Sequence, residues 1–176
     1  LENRLPTADD PNWKDFGFKT REEYEYWSWR CCGVCCIKMI FDYYGGQDSL
    51  AELVNEGVAL GGYDVDNDAG WYYKPLLELA NKHGLRGSIS SCLSTTELAR
   101  HIVRKQFVIA SVSPTIIRMD ETIQSKRKSG HLVLVVGFSI NRGRITGMYI
   151  HNPSGKSPEM RKKAYIPIAT FSAAYG

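Results

Sequence analysis

The sequence lacks any long apolar run and any large excess of charge of one sign. The apolar run from Leu132 to Val136 is far shorter than the ~18 residues needed to span a bilayer, so no membrane span is expected. With 22 basic and 19 acidic residues, the net charge of +3 argues against a disordered chain and against a basic protein that coats nucleic acid. The 176 residues, 43% of them hydrophobic, are enough for about one domain with a real core.

Cysteines are few, odd in number and unsuited to a disulfide framework. Four of the five lie between Cys31 and Cys36, and the fifth is Cys92. Adjacent cysteines on a short helical stretch cannot readily pair with each other, so reduced thiols and a cytoplasmic location are favoured. Because the chain begins at Leu1 without an initiator methionine, an exported form whose signal segment has been removed is left open.

The order of the predicted elements is that of an α+β domain. Residues 1–30 are polar with scattered aromatics and predict an N-terminal arm, extended apart from about one turn of helix. Residues 31–176 are expected to form one domain, with helices first and strands last. Helices are predicted over 32–44, from Ser49 through Val54, from Pro75 to a stop at Gly84, and from Ser94 through Lys105. Strands are predicted over 107–112, 132–138, 145–150 and 164–168, with a hairpin turn at 141–143 and a long polar loop at 115–129.

Cys32 is the candidate nucleophile. It stands at the predicted start of a helix, where backbone N–H groups and the positive end of the helix dipole favour a thiolate over a thiol. Gly33 beside it would let a substrate backbone approach closely.

His131 is the candidate base. A nucleophilic cysteine needs an imidazole within hydrogen-bond reach, and that ring needs an amide or carboxylate to orient it. His131 follows Gly130 at the mouth of a wholly apolar strand, where a polar ring has no packing reason to be. If the turn at 141–143 joins two antiparallel strands, their far ends meet and Asn152 lies beside His131.

Other readings of the cysteines and acidic residues fit less well. Cys32 to Cys35 also matches the C-x-x-C redox pattern, but the preceding stretch, 21–30, is acidic and aromatic rather than a buried strand. No second Cys or His pair completes a zinc site. Asp64 to Asp68 imitates the start of a calcium loop, whose sixth and twelfth positions are here Ala69 and Pro75 instead of Gly and Glu. No metal, cofactor or nucleic-acid partner is therefore expected.

Several segments together resemble the C39 peptidases and C39-like cysteine peptidases. The segment from Cys32 to Gly45 resembles their Cys box, 130–137 their His box, and Asn152-Pro153 their usual Asp-Pro. Gly70-Trp71 and the helix that follows are similar to their middle helix. The resemblance implies a papain-like fold, with the N-terminal helices packed on a C-terminal antiparallel sheet. Cys32 would attack a carbonyl, His131 would act as base and then acid, and Asn152 would hold the imidazole; Gly33, Gly70, Trp71 and Gly130 are expected to bind substrate.

One departure from the family concerns the oxyanion. The family usually has a Gln several residues before the Cys, and the stretch 22–30 has none. Backbone N–H groups, including that of Cys32, or a substitute such as Ser28 or Trp29, would have to serve as donors. The expected function is a cysteine-dependent peptidase or amidase acting on a peptide or amide substrate through a thioester acyl-enzyme. An acyltransferase that uses the same site and a catalytically silent peptide-binding relative are the alternatives.

Overall fold

Seven α-helices and a four-stranded antiparallel sheet make up the described part of the chain, so the predicted α+β class is confirmed. The computed structural model describes residues 10–68, 70–91, 93–117, 130–155 and 157–176. Cys92, Ala69 and most of the predicted loop at 115–129 lie outside them. Within these ranges no helix is long and apolar enough to cross a bilayer. The chain divides into two compact units, Leu1–Ser90 and Ser91–Gly176. The papain-like arrangement and the boundary between arm and domain stay predictions.

The first unit is helical. Its core contains the fully buried side chains of Val34, Leu53 and Leu79, each from a different helix. Ser49 begins one of these helices with a capping box: its hydroxyl accepts a hydrogen bond from the Glu52 N–H (3.2 Å), and the Glu52 carboxylate accepts one from the Ser49 N–H (2.7 Å). The elements are a 3₁₀ helix at Trp13–Phe16, α1 (Arg21–Ser28), α2 (Cys32–Tyr43), α3 (Leu50–Ala59) and α4 (Tyr73–Lys82).

The stretch before Cys32 is more helical and more buried than the sequence analysis predicts. The prediction of an extended conformation is wrong for 21–28, which form the eight-residue helix α1. Thr20 caps this helix by accepting a hydrogen bond from the Glu23 N–H at 3.1 Å, a spacing that the sequence already displays. Tyr24 and Trp27 are buried, and the Tyr24 hydroxyl donates to the buried carboxylate of Asp10. Tyr24 and Trp27 are therefore core residues of the first unit.

The second unit is built on the sheet, whose strands lie in the order β1-β2-β3-β4. In its core, apolar residues of the strands, such as Val133 and Ile150, pack with Leu98 from the helix before the first strand and with Phe171 from the last helix. The elements are α5 (Thr95–Val103), β1 (Val108–Val112), a 3₁₀ helix at Pro114–Ile117, β2 (His131–Asn141), β3 (Arg144–His151), α6 (Pro158–Arg161), β4 (Ala164–Pro167) and α7 (Ile168–Ala174).

The turn between β2 and β3 fixes which residues meet at the far end of the hairpin. Arg142 and Gly143 both have positive φ, 48° and 77°, the two-residue geometry that matches the right-handed twist of the strands. Two register shifts along the pair cancel, and Leu134 pairs with His151. Asn152, which directly follows β3, therefore lies level with Val133. Val133 is two positions from His131 along β2. Because side chains alternate between faces, that spacing puts both on one face.

Candidate active site

Cys32 is the first residue of α2, as the sequence predicts. The N–H groups of a helix's first turn have no carbonyl partner inside the helix, and the dipole there favours negative charge. The earliest bond along this helix runs from the Cys35 N–H to the Cys31 carbonyl, at 2.8 Å. Cys32 is partly exposed, whereas its neighbours Cys31, Cys35 and Cys36 are buried. A partly exposed thiol at a helix start is the setting in which cysteine becomes nucleophilic.

The neighbouring thiols have the opposite character. All four described cysteines are reduced, and the sulfurs of Cys31 and Cys35 lie 3.3 Å apart in a hydrogen bond. Burial raises the pKa of the Cys35 thiol, and the bond to Cys31 adds to that rise. Burial likewise raises the pKa of Cys36, with the nearby Cys32 and Cys31 contributing. Because only the thiolate is a good nucleophile, these groups act as packing residues.

Trp71, from the loop before α4, bonds to the backbone that precedes Cys32. The indole Nε1–H of Trp71 donates to the carbonyl of Arg30 at 2.7 Å. The Trp71 ring itself is buried, with its centroid 5.9 Å from that of Trp27 and 5.3 Å from that of Tyr63. Trp71, expected to bind substrate, thus has a packing and positioning role in the first unit. Its contact with substrate stays a prediction.

The three glycines expected at the substrate site differ in their surroundings. Gly33 is buried in the first turn of α2. Gly70 precedes Trp71 with φ of 87°, and nothing lies within 4 Å of where its Cβ would be. Gly130 is exposed and enters β2 with φ of 112°, a conformation that side chains disfavour. Gly70 and Gly130 are therefore needed for backbone geometry, and substrate contact at all three stays a prediction.

The structure brings His131 and Asn152 together. The ring Nε2 of His131 lies 2.8 Å from Oδ1 of Asn152, and both side chains are almost completely buried, at 2% and 3% exposure. The Asn152 oxygen also accepts a hydrogen bond from the backbone N–H of Ser154, at 3.0 Å. A backbone N–H can only donate, so the amide atom between the two groups is the oxygen.

This assignment decides the tautomer of His131. Since an amide oxygen only accepts, the Nε2 that faces it must carry a proton. In the neutral ring the lone pair is then on Nδ1, which becomes the basic nitrogen. The arrangement can therefore take up a proton at Nδ1 while Asn152 continues to hold the other side of the ring.

Asn152 is itself held by the loop that follows β3. Its backbone N–H donates to the carbonyl of Arg161 at 2.9 Å, and its carbonyl accepts from the Gly155 N–H at 3.1 Å. The Arg161 guanidinium donates back to the Gly155 carbonyl at 2.7 Å. These bonds fix the backbone on both sides of Asn152, so the amide that orients the imidazole has little freedom to turn.

The two side chains proposed as oxyanion donors lie at the end of α1. The Ser28 hydroxyl donates to the carbonyl of Glu25 at 2.9 Å, so its one hydrogen is used within the helix. Trp29 follows α1 and is 51% exposed. A role in stabilising an oxyanion stays a prediction for both.

His151, the residue before Asn152, is a half-buried hydrogen-bond acceptor. Its Nδ1 accepts a hydrogen bond from the Lys163 N–H at 3.1 Å. Burial lowers the pKa of His151, and the charges of Lys162 and Lys163 lower it further. The folded state therefore favours the neutral ring.

Because the folded state favours neutral His151, we expect the free energy of unfolding to fall in acid. Above the ordinary pKa of about 6.5 the ring is neutral in both states, so its contribution to stability is complete. As the pH falls below that value the unfolded chain takes up the proton first, and stability is lost until the lower folded pKa is reached. For one proton the slope cannot exceed about 1.4 kcal/mol per pH unit.

Denaturant unfolding of His151→Asn tests this expectation, because asparagine keeps an acceptor near the position of Nδ1. Between about pH 7 and 5 the variant should lose its free energy of unfolding less steeply than the wild type. An unchanged slope would contradict this.

A helix-start thiol and an imidazole held by a buried amide are components of cysteine-peptidase chemistry, carried here on an α+β fold. The model of the Peptidase_C39 like family matches residues 14–176, and the chain belongs to this family. Membership supports a hydrolase of the cysteine-peptidase type and confirms the resemblance seen in the sequence. Neither the curated proteins nor the solved structures include a significant match.

Sequence reasoning missed one cluster of side chains that includes Arg30, two residues before Cys32. The guanidinium of Arg30 makes two hydrogen bonds to the carboxylate of Asp68, with Nε to Oδ1 at 2.8 Å and Nη2 to Oδ2 at 2.9 Å. Asp68 also accepts a hydrogen bond from the Tyr63 hydroxyl. The sequence analysis weighed Asp68 only as a calcium ligand, because a partner 38 residues away leaves no spacing signal.

Proposed function

We propose that the chain is a cysteine-dependent hydrolase that cleaves a peptide or amide bond with Cys32, His131 and Asn152. The observation that carries the proposal is the buried pair of His131 and Asn152, in which the amide oxygen holds Nε2–H and leaves the lone pair on Nδ1. The position of Cys32 at the start of α2 supports its role as nucleophile. Membership of the Peptidase_C39 like family supports the reaction class.

In the proposed reaction, His131 Nδ1 accepts the thiol proton of Cys32 while the sulfur adds to the substrate carbonyl. The C–N bond then breaks, His131 returns the proton to the leaving amine, and the acyl group stays on sulfur as a thioester. A water molecule gives a proton to the same ring and adds to the thioester carbonyl. The C–S bond breaks, the acid is released, and the proton returns to the Cys32 sulfur. Asn152 keeps the ring oriented through both halves.

The negative charge that develops on the carbonyl oxygen needs hydrogen-bond donors. We propose the backbone N–H of Cys32 as one of them, because it lies in the first turn of α2, where the dipole also favours negative charge. Ser28 is the weaker candidate, since its hydrogen already bonds to the Glu25 carbonyl.

Ser28→Ala therefore tests the oxyanion donor. We expect kcat to change by less than about threefold, because the backbone donor is untouched, whereas loss of an oxyanion donor costs on the order of 10²–10³ in rate. Trp29→Phe, which removes the indole N–H and keeps an aromatic ring, is the matched variant at the next position. A fall of about 10²-fold in Ser28→Ala would assign the donor to this hydroxyl and overturn the expectation.

The proposed function is tested by looking for the acyl-enzyme. The protein is incubated with a broad peptide library, and intact-mass measurement shows whether an acyl group forms on Cys32. We expect an acyl-enzyme that turns over to the free acid, and no acyl-enzyme in His131→Ala or in His131→Gln, which keeps a polar group in the buried position. His101→Ala is the control histidine; its ring bonds to Gln106 in the second unit.

The same experiment separates the alternatives. If an added amine diverts the acyl group into a new amide, the enzyme is an acyltransferase rather than a hydrolase. If iodoacetamide alkylates Cys32 and yet no peptide acylates it, the chain is a binding relative, a reading that the missing upstream Gln favours. Alkylation confined to cysteines other than Cys32 would contradict the nucleophile assignment itself.

A further inference from the structure

The residues that lead into the proposed nucleophile are held from two directions. The backbone of Arg30 donates to the Trp27 carbonyl at 2.9 Å and accepts from the Trp71 indole at 2.7 Å. Arg30 is two positions before Cys32, so its placement fixes where α2 begins.

The side chain of Arg30 is held as firmly as its backbone. Its Nη1 donates to the carbonyl of Tyr26 at 2.9 Å, and its guanidinium carbon lies 4.2 Å from the centroid of the Tyr26 ring. The other two nitrogens, Nε and Nη2, donate to the two carboxylate oxygens of Asp68, as described above. Fork geometry fixes orientation as well as distance.

Asp68 lies in a tight part of the loop. Its φ of 51° is in the left-handed region, which Asp adopts more readily than most residues with a side chain. Its side chain is 52% exposed and that of Arg30 is 28% exposed, and exposed ion pairs contribute little to stability. The hydrogen bonds from Arg30 and from Tyr63 lower the pKa of Asp68, so the carboxylate stays charged. A bidentate contact that fixes the orientation of Arg30 and adds little stability suggests that its geometry serves another purpose.

We infer that Asp68 is a positioning residue for Cys32: through its fork onto Arg30 it fixes the approach to α2 and thereby the direction of the thiol. The inference rests on the proposed function, because it assumes that the position of Cys32 matters for a reaction. It assigns Asp68 no contact with substrate. A displacement of about 1 Å at a reacting group can cost about 10²-fold in rate, so the loss of one anchor is expected to be measurable.

The test compares Asp68→Ala with Asp66→Ala, an exposed aspartate two positions away in the same loop. We expect Asp68→Ala to lower kcat by about tenfold or more with KM changed less than about threefold. Asp68→Asn, which keeps an oxygen for the fork, should recover part of the loss. Arg30→Gln should lose at least as much as Asp68→Ala, because it also removes the bond to the Tyr26 carbonyl. The double variant should lose little more than Arg30→Gln alone, because both single changes break the contact between Arg30 and Asp68.

A second readout separates failure of this inference from failure of the proposed function. The rate of Cys32 alkylation by iodoacetamide, measured by mass spectrometry from about pH 5 to 9, needs no substrate. Asp68→Ala is expected to alter this profile, whereas Asp66→Ala is expected to match the wild type. If Asp68→Ala also matches the wild type, the positioning role is overturned. If instead His131→Ala leaves the profile unchanged, the proposed pairing of Cys32 with His131 fails. Should Asp68→Ala fail to fold, Asp68→Asn carries the same comparison.

Discussion

Replacing Cys32 with alanine is expected to abolish hydrolysis while the chain keeps its fold. The substitution removes a partly exposed sulfur, so little packing is lost. In the proposed mechanism, however, no acyl group can form without that sulfur. Removal of the nucleophile from a comparable hydrolase site costs on the order of 10⁴-fold or more in kcat. The measurement is peptide hydrolysis under saturating substrate, with far-UV circular dichroism to verify the fold.

Cys36→Ala is the matched control for that experiment. It removes another sulfur from the same helix, four residues further along, but this sulfur is fully buried and burial raises its pKa. We expect hydrolysis to be retained and stability to fall by about 1 kcal/mol, the cost of a methyl-sized cavity. Native iodoacetamide labelling should modify Cys32 in the wild type and leave Cys35 and Cys36 unmodified until the protein is unfolded. Hydrolysis that survives in Cys32→Ala and is lost in Cys36→Ala would reverse the assignment.

The parts of the fold that the sequence predicts well are those set by local rules. The start of α3 follows from one capping box, Ser49 with Glu52, and the hairpin follows from the turn at 141–143. Together, the turn and the lengths of β2 and β3 bring His131 near Asn152, 21 residues away, because an antiparallel pair has only one far end. The contact between His131 and Asn152 can thus be predicted from the turn and the two strands that it joins.

The parts of the fold that the sequence does not predict depend on contacts that no local rule determines. The sequence predicts only about one turn of helix where α1 forms, because its aromatic and acidic residues do not show a clean apolar stripe, although Thr20 and Glu23 have capping spacing. The bonds of Arg30 to Asp68 and to Trp71 join residues 38 and 41 positions apart, through loops rather than paired strands. No periodicity or turn type determines these contacts, so the bonds that hold Arg30 before α2 become visible only in the three-dimensional structure.

Asn152→Ala is expected to reduce both activity and stability, because one oxygen serves two buried donors. Its loss leaves the Nε2–H of His131 and the N–H of Ser154 without this acceptor. An unsatisfied buried donor costs about 1–3 kcal/mol, which denaturant unfolding can measure. The imidazole also loses the contact that sets its tautomer, and kcat is expected to fall by about 10²-fold or more.

Asn152→Asp separates the orienting role from simple destabilisation. A carboxylate can accept from both donors, and Asp-Pro is the usual pair at this point in the family that the sequence resembles. We therefore expect Asn152→Asp to retain at least about tenfold more activity than Asn152→Ala. Asn141→Ala, at the exposed opposite end of the hairpin, should leave activity unchanged. If Asn152→Ala is folded and as active as Asn141→Ala, His131 needs no partner to act, and the proposed triad reduces to a pair.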